Sequence, residues 1–387
     1  MQPEKLRTEL RGMLGIPDER CALEPVFRGR LERDGFTVEK WIWTAEPGSR
    51  VPSVLYRPTA ISGPAPAMVI TCGHGGSKSQ WQYSYVPQVY ARLGLICLVL
   101  DPIGEEERHL RGQMGTRAHD PQEVHERADA AGRLIMGKLV FDTMRGIDFL
   151  QSRDDVDAQR IGVGGNSLGG AKASWMLALD TRLRLALVSG WAFDDLLCRS
   201  GKFCTRVPNE RMRRLCDWPA FLALAAPQCA VLALNGDADV IIDRDGDGTA
   251  WRGTRENVGK AQKLFAERGA AGKIDCWFEP GGGHRPYFGN KVALAWMHRH
   301  LGTPGWSLEK IRELPTLNSG AWCDANGVAL EKLYGTELHQ RGATLPDLGL
   351  RPIPREDLAC LRPEEIGDPQ YTLEGWLESI ETGRKHL

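Results

Sequence analysis

Between Arg160 and Gly170 the chain reads Arg-Ile-Gly-Val-Gly-Gly-Asn-Ser-Leu-Gly-Gly, an apolar strand that runs straight into a serine framed by glycines. Its centre, Gly165-Asn166-Ser167-Leu168-Gly169, has the G-x-S-x-G spacing of a very sharp strand-to-helix turn. Side chains two residues before and two after the serine would collide with the neighbouring strand and helix, so both positions need glycine. Such a turn holds a hydroxyl clear of the strand's end. Five-residue patterns recur by chance, so this one constrains the fold only if the flanks supply strands and helices in alternation, a donor loop, and a later acid and histidine in order.

The flanks supply the alternation. Phe36 to Thr44 and Arg50 to Pro58 alternate polar and apolar residues around Pro47-Gly48, as a half-buried antiparallel hairpin at a sheet edge does. Continuous apolar runs follow at Ala67–Thr71, Leu95–Leu100, Arg160–Val163, Leu183–Val188, Ala230–Leu234 and Ile274–Phe278. Helix-length segments separate them, predicted at about 84–93, 137–152, 168–179, 255–268 and 286–301. Apolar runs of this kind read as parallel strands covered on both faces. The expected fold is α/β, with a mostly parallel eight-stranded sheet, helices on both faces, lid insertions and terminal extensions. Residues 1–35 read as a helical N-terminal extension, 36–302 as the catalytic domain and 303–387 as a C-terminal extension packed on it. Residues 102–136 and 192–228 are too long for ordinary connections and are the lid candidates.

The 49 basic and 50 acidic residues balance, which gives no electrostatic basis for binding nucleic acid or an anionic membrane. The expected partner is a small-molecule substrate, with a homo-oligomer left open. The first ten residues lack the apolar stretch of a signal peptide and no window approaches a membrane span, so a cytoplasmic, soluble protein is expected. Ten cysteines are scattered without a C-x-x-C pair, which fits reduced and mostly buried thiols.

Serine at its own pKa is a poor nucleophile, and Ser167 needs a histidine base oriented by an acid. The run Ala230 to Ile242 is a strand that breaks at Gly236 into a loop with Asp237 and Asp239; Asp239 is the chosen acid and Asp237 its rival. Ile274–Phe278 empties into Glu279-Pro-Gly-Gly-Gly-His-Arg-Pro-Tyr287, where three glycines let the backbone turn and present His284 as the base. The order Ser, Asp, His on successive strand ends separates this histidine from an ordinary loop residue. An oxyanion formed at Ser167 would meet the N–H of Leu168 and a second donor, Gly76 or Gly75, from the loop Cys72-Gly-His-Gly-Gly-Ser-Lys78. No G-x-x-x-x-G-K-[ST] is present to make these glycines a phosphate cradle. Trp81, Tyr83, Trp191, Phe193 and Trp218 are candidate pocket residues, with core or lid packing as the alternative.

Asp101-Pro-Ile-Gly-Glu-Glu-Glu-Arg108 follows the fourth strand, and scaffolding by ion pairs through Asp101, Glu106 or Arg108 is the favoured role. Asp243-Arg-Asp-Gly-Asp-Gly248 opens like a calcium loop but has Thr254 where a bidentate Glu belongs. His298 and His300 are two apart on an expected helix and face different ways. No metal motif survives, and no cofactor is expected.

With the elbow, the H-G-G loop at His74 and the order Ser167, Asp239, His284, the chain resembles the α/β-hydrolase superfamily over about 55–302. Gly73 to Lys78 with Asp101 to Arg108 is similar to its acetyl-xylan-esterase-like and dienelactone-hydrolase-like branch, whose strand-end aspartate is followed by Gly-x-Gly-Glu-Arg. Glu106 stands in the second glycine's place, after Glu105 at the variable one. The resemblance implies a cofactor-free serine ester hydrolase, and the five candidate pocket aromatics would suit an acetylated sugar or an aromatic ester as its substrate. The alternatives are a prolyl-oligopeptidase-type amidase or peptidase, or a C–C bond hydrolase using the same triad; fold alone does not choose among them.

Overall fold

The computed structural model describes residues 2–195, 208–330 and 340–383. Its centre is a nine-stranded sheet built from β1 (Val26–Arg33), β2 (Phe36–Glu46), β3 (Ser49–Pro58), β4 (Ala65–Thr71), β5 (Ile96–Leu100), β6 (Val156–Asn166), β7 (Leu183–Ser189), β8 (Ala230–Gly236) and β9 (Ile274–Glu279). The spatial order is β1-β2-β3-β5-β4-β6-β7-β8-β9. β5 to β9 with β4 pair in parallel, while β1, β2 and β3 form an antiparallel edge joined to β5. Because β5 lies on one side of β4 and β6 on the other, the order reverses there and opens a crevice beyond the carboxyl ends of β4 and β6.

Eight strands lie where the apolar and alternating runs predict them; the ninth, β1, corrects the reading of residues 1–35 as helical. Only α1 (Pro3–Leu14) is a helix there. β1 is an edge strand, half-exposed or exposed along its length and bulged between Phe27 and Gly29, so its sequence carries no buried face to announce it.

Side chains alternate between the two faces of the buried strands, so each strand feeds two cores. In β4, Ala67 and Val69 join a cluster with Leu10 of α1, Leu139 and Val140 of α4 (Ile135–Gln151) and Ala171 of α5 (Leu168–Leu179). Met68 and Ile70 join the opposite cluster with Val86 and Val89 of α2 (Trp81–Arg92). α3 (Gln122–Ala130) lies in the first insertion and α6 (Asn209–Arg213) and α7 (Trp218–Ala223) in the second, of which 196–207 fall outside the described residues. α8 (Thr249–Glu267) covers the first face and α9 (Lys291–His300) the second.

The C-terminal extension contributes to both cores. α10 (Leu308–Glu313), α11 (Ser319–Asn326) and the segment around Leu358 and Tyr371 bury apolar side chains in the second, and α12 (Leu373–Gly383) buries Trp376 and Leu377 in the first. Tyr85 Oη donates to the Pro346 carbonyl at 2.7 Å. Residues 331–339 and 384–387 of this extension lie outside the described residues. Among the described residues no helix is long and apolar enough to cross a membrane.

The glycines of the elbow are fixed by contact with β4. A Cβ on Gly165 would fall 2.3 Å from Thr71 Oγ1, and one on Gly169 2.2 Å from the Thr71 carbonyl oxygen. Backbone on both sides leaves nowhere for a methyl to go. Gly169→Ala is therefore expected to destabilise the fold by about 1–3 kcal/mol. Gly259→Ala, at a helical position of α8 with open space around it, is expected to stabilise by up to about 1 kcal/mol. Urea unfolding of both variants checks the contrast; a neutral Gly169→Ala would mean that α5 does not seat on β4 this closely.

Candidate active site

Ser167 is the one residue between Ile161 and Asp180 that is not buried. It adopts φ 62° and ψ −124°, a region that non-glycine residues rarely occupy, and it persists because its surroundings over-determine it. The Ser167 N–H donates to the Ser189 carbonyl at 3.0 Å, and its own carbonyl accepts from Ala171 N–H at 2.9 Å as α5 begins. Leu168, Gly169 and Gly170 open that helix, so their N–H groups have no intrahelical acceptor and the helix's positive end faces the serine.

Asp239 and His284 meet. His284 Nδ1 lies 2.7 Å from Asp239 Oδ2, and both side chains are fully buried. The other oxygen, Oδ1, accepts from the N–H groups of Ile241 at 2.9 Å and Ile242 at 3.3 Å, which fixes the plane of the carboxylate. A carboxylate on Nδ1 sets the tautomer that leaves a lone pair on Nε2, and Nε2 is buried without a protein partner. Asp237, the rival acid, is exposed, and its Oδ1 accepts from Gly281 N–H at 2.6 Å, bracing the glycine turn instead of touching the histidine. Tyr287 Oη closes the same loop by donating to the Gly283 carbonyl at 2.6 Å.

Gly190 stands between serine and histidine: a Cβ there would fall 3.0 Å from His284 Cε1 and 3.2 Å from Ser167 N. The neighbouring Ser189 was not singled out by sequence reasoning. Its Oγ lies 2.8 Å from Asn166 Oδ1 and 3.1 Å from the Arg285 carbonyl, and accepts from Tyr287 N–H at 2.9 Å. One hydroxyl thus joins the elbow to the histidine loop. A small polar residue closing an apolar strand was the available signal.

On the other side, Gly73 approaches the serine so closely that a Cβ would sit 3.5 Å from Ser167 Cβ, and its N–H donates to Tyr83 Oη at 2.5 Å. The expectation of Gly76 as an oxyanion donor is corrected, because the Gly76 N–H is directed back at the Gly73 carbonyl at 3.1 Å and closes the turn. Gly75, at φ 73°, has no acceptor for its N–H among the described residues and stays available, as Leu168 does.

The loop is anchored by buried charge. Lys78 is fully buried; its Nζ bonds to Asp101 Oδ2 and lies 2.6 Å from Glu107 Oε2, and its N–H donates to Asp101 Oδ1 at 3.1 Å. Burial opposes the ammonium charge, yet Asp101 and Glu107 outweigh it and hold Lys78 well above its usual value. Glu107 Oε1 accepts from the N–H groups of Cys360 and Leu361 at 2.8 and 2.6 Å. Glu106 accepts from Ser79 Oγ at 2.6 Å and Arg355 Nε at 3.0 Å, while Arg108 donates to Asp142 at 2.7 Å. The Asp101–Arg108 segment is therefore scaffolding. Glu105 faces the other way, accepting from Arg117 N–H at 2.6 Å and Thr116 N–H at 3.2 Å. Burial drives its carboxyl up to about 7, against the pull of those N–H groups.

Trp81, Tyr83, Trp191, Phe193 and Trp218 are each 5% exposed or less. Trp81 donates to Gln340 Oε1 at 2.9 Å, Tyr83 stacks on Phe288, and Phe193 meets Trp218 edge-on at 5.9 Å. The pocket-wall expectation for these five is corrected: protein covers their faces, and they serve the two cores. Asp243, from the calcium-like loop, spends its oxygens on the N–H groups of Gly248 and Ala250 at the start of α8.

A nucleophile turn at the switch point of a parallel sheet, with an acid–histidine pair delivered by the ends of β8 and β9, is the architecture of the α/β-hydrolase fold, which the chain adopts. Residues 32–193 match the family model described as acetyl xylan esterase. Among curated proteins, the candidate hydrolase YtaP of Bacillus subtilis (strain 168) is 26% identical over 198 residues, which is 48% of this chain and 63% of YtaP. The uncharacterized peptidase YuxL of the same strain is 28% identical over 209 residues, 51% of this chain and 30% of YuxL. The chain thus spans less than two thirds of either relative. Two solved structures share the fold. Methylesterase BT1017 has a TM-score of 0.60 at 20% identity, over 80% of this chain and 66% of its own. A glucuronoyl esterase from Solibacter usitatus has a TM-score of 0.55 at 15% identity, over 73% and 88%.

Removing Lys78 leaves Asp101 and Glu107 buried without their counter-ion. Lys78→Met is expected to cost about 3–5 kcal/mol in urea unfolding, the usual result of breaking one side of a buried pair, and Asp101→Asn added to it should recover part of the loss. Additive losses would mean that Lys78 and Asp101 do not act as a unit.

Proposed function

We propose that this chain is a serine-dependent carboxylic ester hydrolase. The observation that carries the reading is the Asp239–His284 pair, with Nε2 unpartnered beside a serine held in a strained turn. Ser167 Oγ attacks the ester carbonyl while His284 Nε2 takes its proton. Asp239 holds the imidazole and stabilises the cation that forms. The N–H of Leu168, with Gly75 from the loop, would meet the oxyanion. His284 returns the proton to the leaving alcohol, and water, deprotonated by the same nitrogen, releases the acid from the acyl-enzyme.

An acetylated sugar is supported as substrate by the acetyl xylan esterase match over 32–193. An aromatic ester loses its main support now that the five candidate aromatics are packed away. YuxL, named as a peptidase, favours amide cleavage as the second reading. We further propose a small-molecule partner, on the balanced charge of the chain.

Ser167→Ala is expected to lower kcat on p-nitrophenyl acetate by about 10⁴-fold or more with the circular dichroism unchanged. Retained turnover would remove the assignment. Asp239→Asn should lower kcat by about 10³–10⁴-fold, whereas Asp237→Asn should stay within a few-fold of wild type. The reverse ranking would return the acid's role to Asp237. Parallel assays on acetylated xylo-oligosaccharides and matching anilides decide between ester and amide: faster turnover of the anilides would favour the second reading.

A further inference from the structure

His74 of the H-G-G loop lies against the insertion that follows β5. Its Nε2 is 2.7 Å from both carboxylate oxygens of Asp120. His119 Nε2 is 3.7 Å from Asp120 Oδ1, and the two imidazole rings are 5.3 Å apart between centroids. One donor atom of each of the three residues lies within 4.8 Å of the others. His119 is only 2% exposed, yet neither Nδ1 nor Nε2 has a hydrogen-bond partner. An imidazole carries one N–H and one lone pair, and burying both idle is costly unless something occupies the space they face. The proposed ester chemistry uses none of these three side chains.

We infer that His74, His119 and Asp120 bind one divalent d-block cation of the zinc class, tying the H-G-G loop to the insertion. Two imidazoles and one carboxylate suit zinc, which accepts nitrogen and oxygen at about 2.0–2.2 Å with a fourth position left for water. Donors at those lengths sit about 3.3–3.6 Å apart around a tetrahedral ion, so the His74–Asp120 contact opens slightly and His119, now 3.7 Å from Asp120, closes slightly on it. Calcium and magnesium take oxygen ligands almost exclusively. Arg117 and Lys172 add positive charge around His119 and Asp120, which opposes any cation and leaves the binding to the strength of the nitrogen and carboxylate bonds.

The site has a built support. Gly115 N–H donates to the Gly75 carbonyl at 3.0 Å, Gly75 packs against Gly115 and Arg117, and Glu105 holds the N–H groups of Thr116 and Arg117. The insertion is therefore already pressed onto the loop before the ligands meet. A bound ion would fix His74, and through it the backbone of Gly73 and Gly75 beside Ser167.

The test reads metal directly and does not depend on the ester reading. Full-length protein freed of metal with a chelator is dialysed against Zn²⁺ and assayed for metal content, then loaded with Co²⁺ for visible spectroscopy. The expected result is about one Zn²⁺ per chain and an intense tetrahedral d–d absorption with Co²⁺. His119→Gln and Asp120→Asn should each weaken Zn²⁺ affinity at least tenfold. Asp120 is the more exposed corner of the cluster, so Asp120→Asn reads the site if His119→Gln does not fold. Uptake unchanged in Asp120→Asn, or a wild-type chain with no tetrahedral Co²⁺ absorption, would overturn the inference. Binding of Ca²⁺ or Mg²⁺ in preference to Zn²⁺ would overturn the ligand chemistry on which it rests.

Discussion

Everything in the site is hung from the contact between Thr71 and the elbow. Thr71 Oγ1 lies 2.7 Å from the Gly169 carbonyl and 3.1 Å from the Gly164 carbonyl, so one side chain at the end of β4 touches both the strand entering the turn and the helix leaving it. That distance is possible only because Gly165 and Gly169 present bare backbone. The strained φ of Ser167 follows from it. With β6 and α5 both held against the same strand end, the chain between them has a single residue in which to reverse, and the cost of that conformation is met by the packing on either side. The elbow is then a property of three elements at once.

From that point outward the site is stiffened by polar groups taken out of water. Lys78 draws Asp101 and Glu107 together at the end of β5, and Glu107 reaches on to the backbone of Cys360 and Leu361 in the C-terminal extension. Arg108 continues to Asp142 of α4, which also meets Lys138 and so Glu46 of β2. Buried charges of this kind contribute little net stability but tolerate few alternative arrangements, because each unpaired member would be expensive. The extension is therefore tied into the support of the H-G-G loop. Its role here is mechanical as well as apolar.

Much of this was legible in the sequence, for reasons that also explain what was not. Five of the strands, β4 to β8, are continuous apolar runs because both of their faces are covered, β9 at the edge is covered only in part, and Ser167, Asp239 and His284 stand at strand ends where topology leaves them few places to go. Asp239 and Asp237 differ by two residues on one loop, and the structure turns one toward His284 and the other toward Gly281. β1 escaped notice because an edge strand with one exposed face has no hydrophobic signature. Gly76 was misassigned for a subtler reason: a motif identifies a loop that approaches the oxyanion but does not say which of its N–H groups the turn consumes. The aromatics mislead similarly, since Trp, Tyr and Phe near a strand end look the same in sequence whether they line a cavity or fill a core.

Glu105 shows how one buried carboxylate organises its surroundings. It accepts from Thr116 and Arg117 and draws the 114–117 segment inward, while Gly115 completes the approach by bonding to Gly75. Burial raises this carboxyl toward neutrality, so the two N–H bonds are made at some electrostatic cost. The cost makes sense if a close-held insertion is what the site requires. His119 and Asp120 belong to that same insertion, and they meet His74 just beyond the residues that Glu105 holds. Glu105 and the cluster beside the nucleophile loop are thus two parts of one local arrangement, at opposite ends of a sixteen-residue stretch.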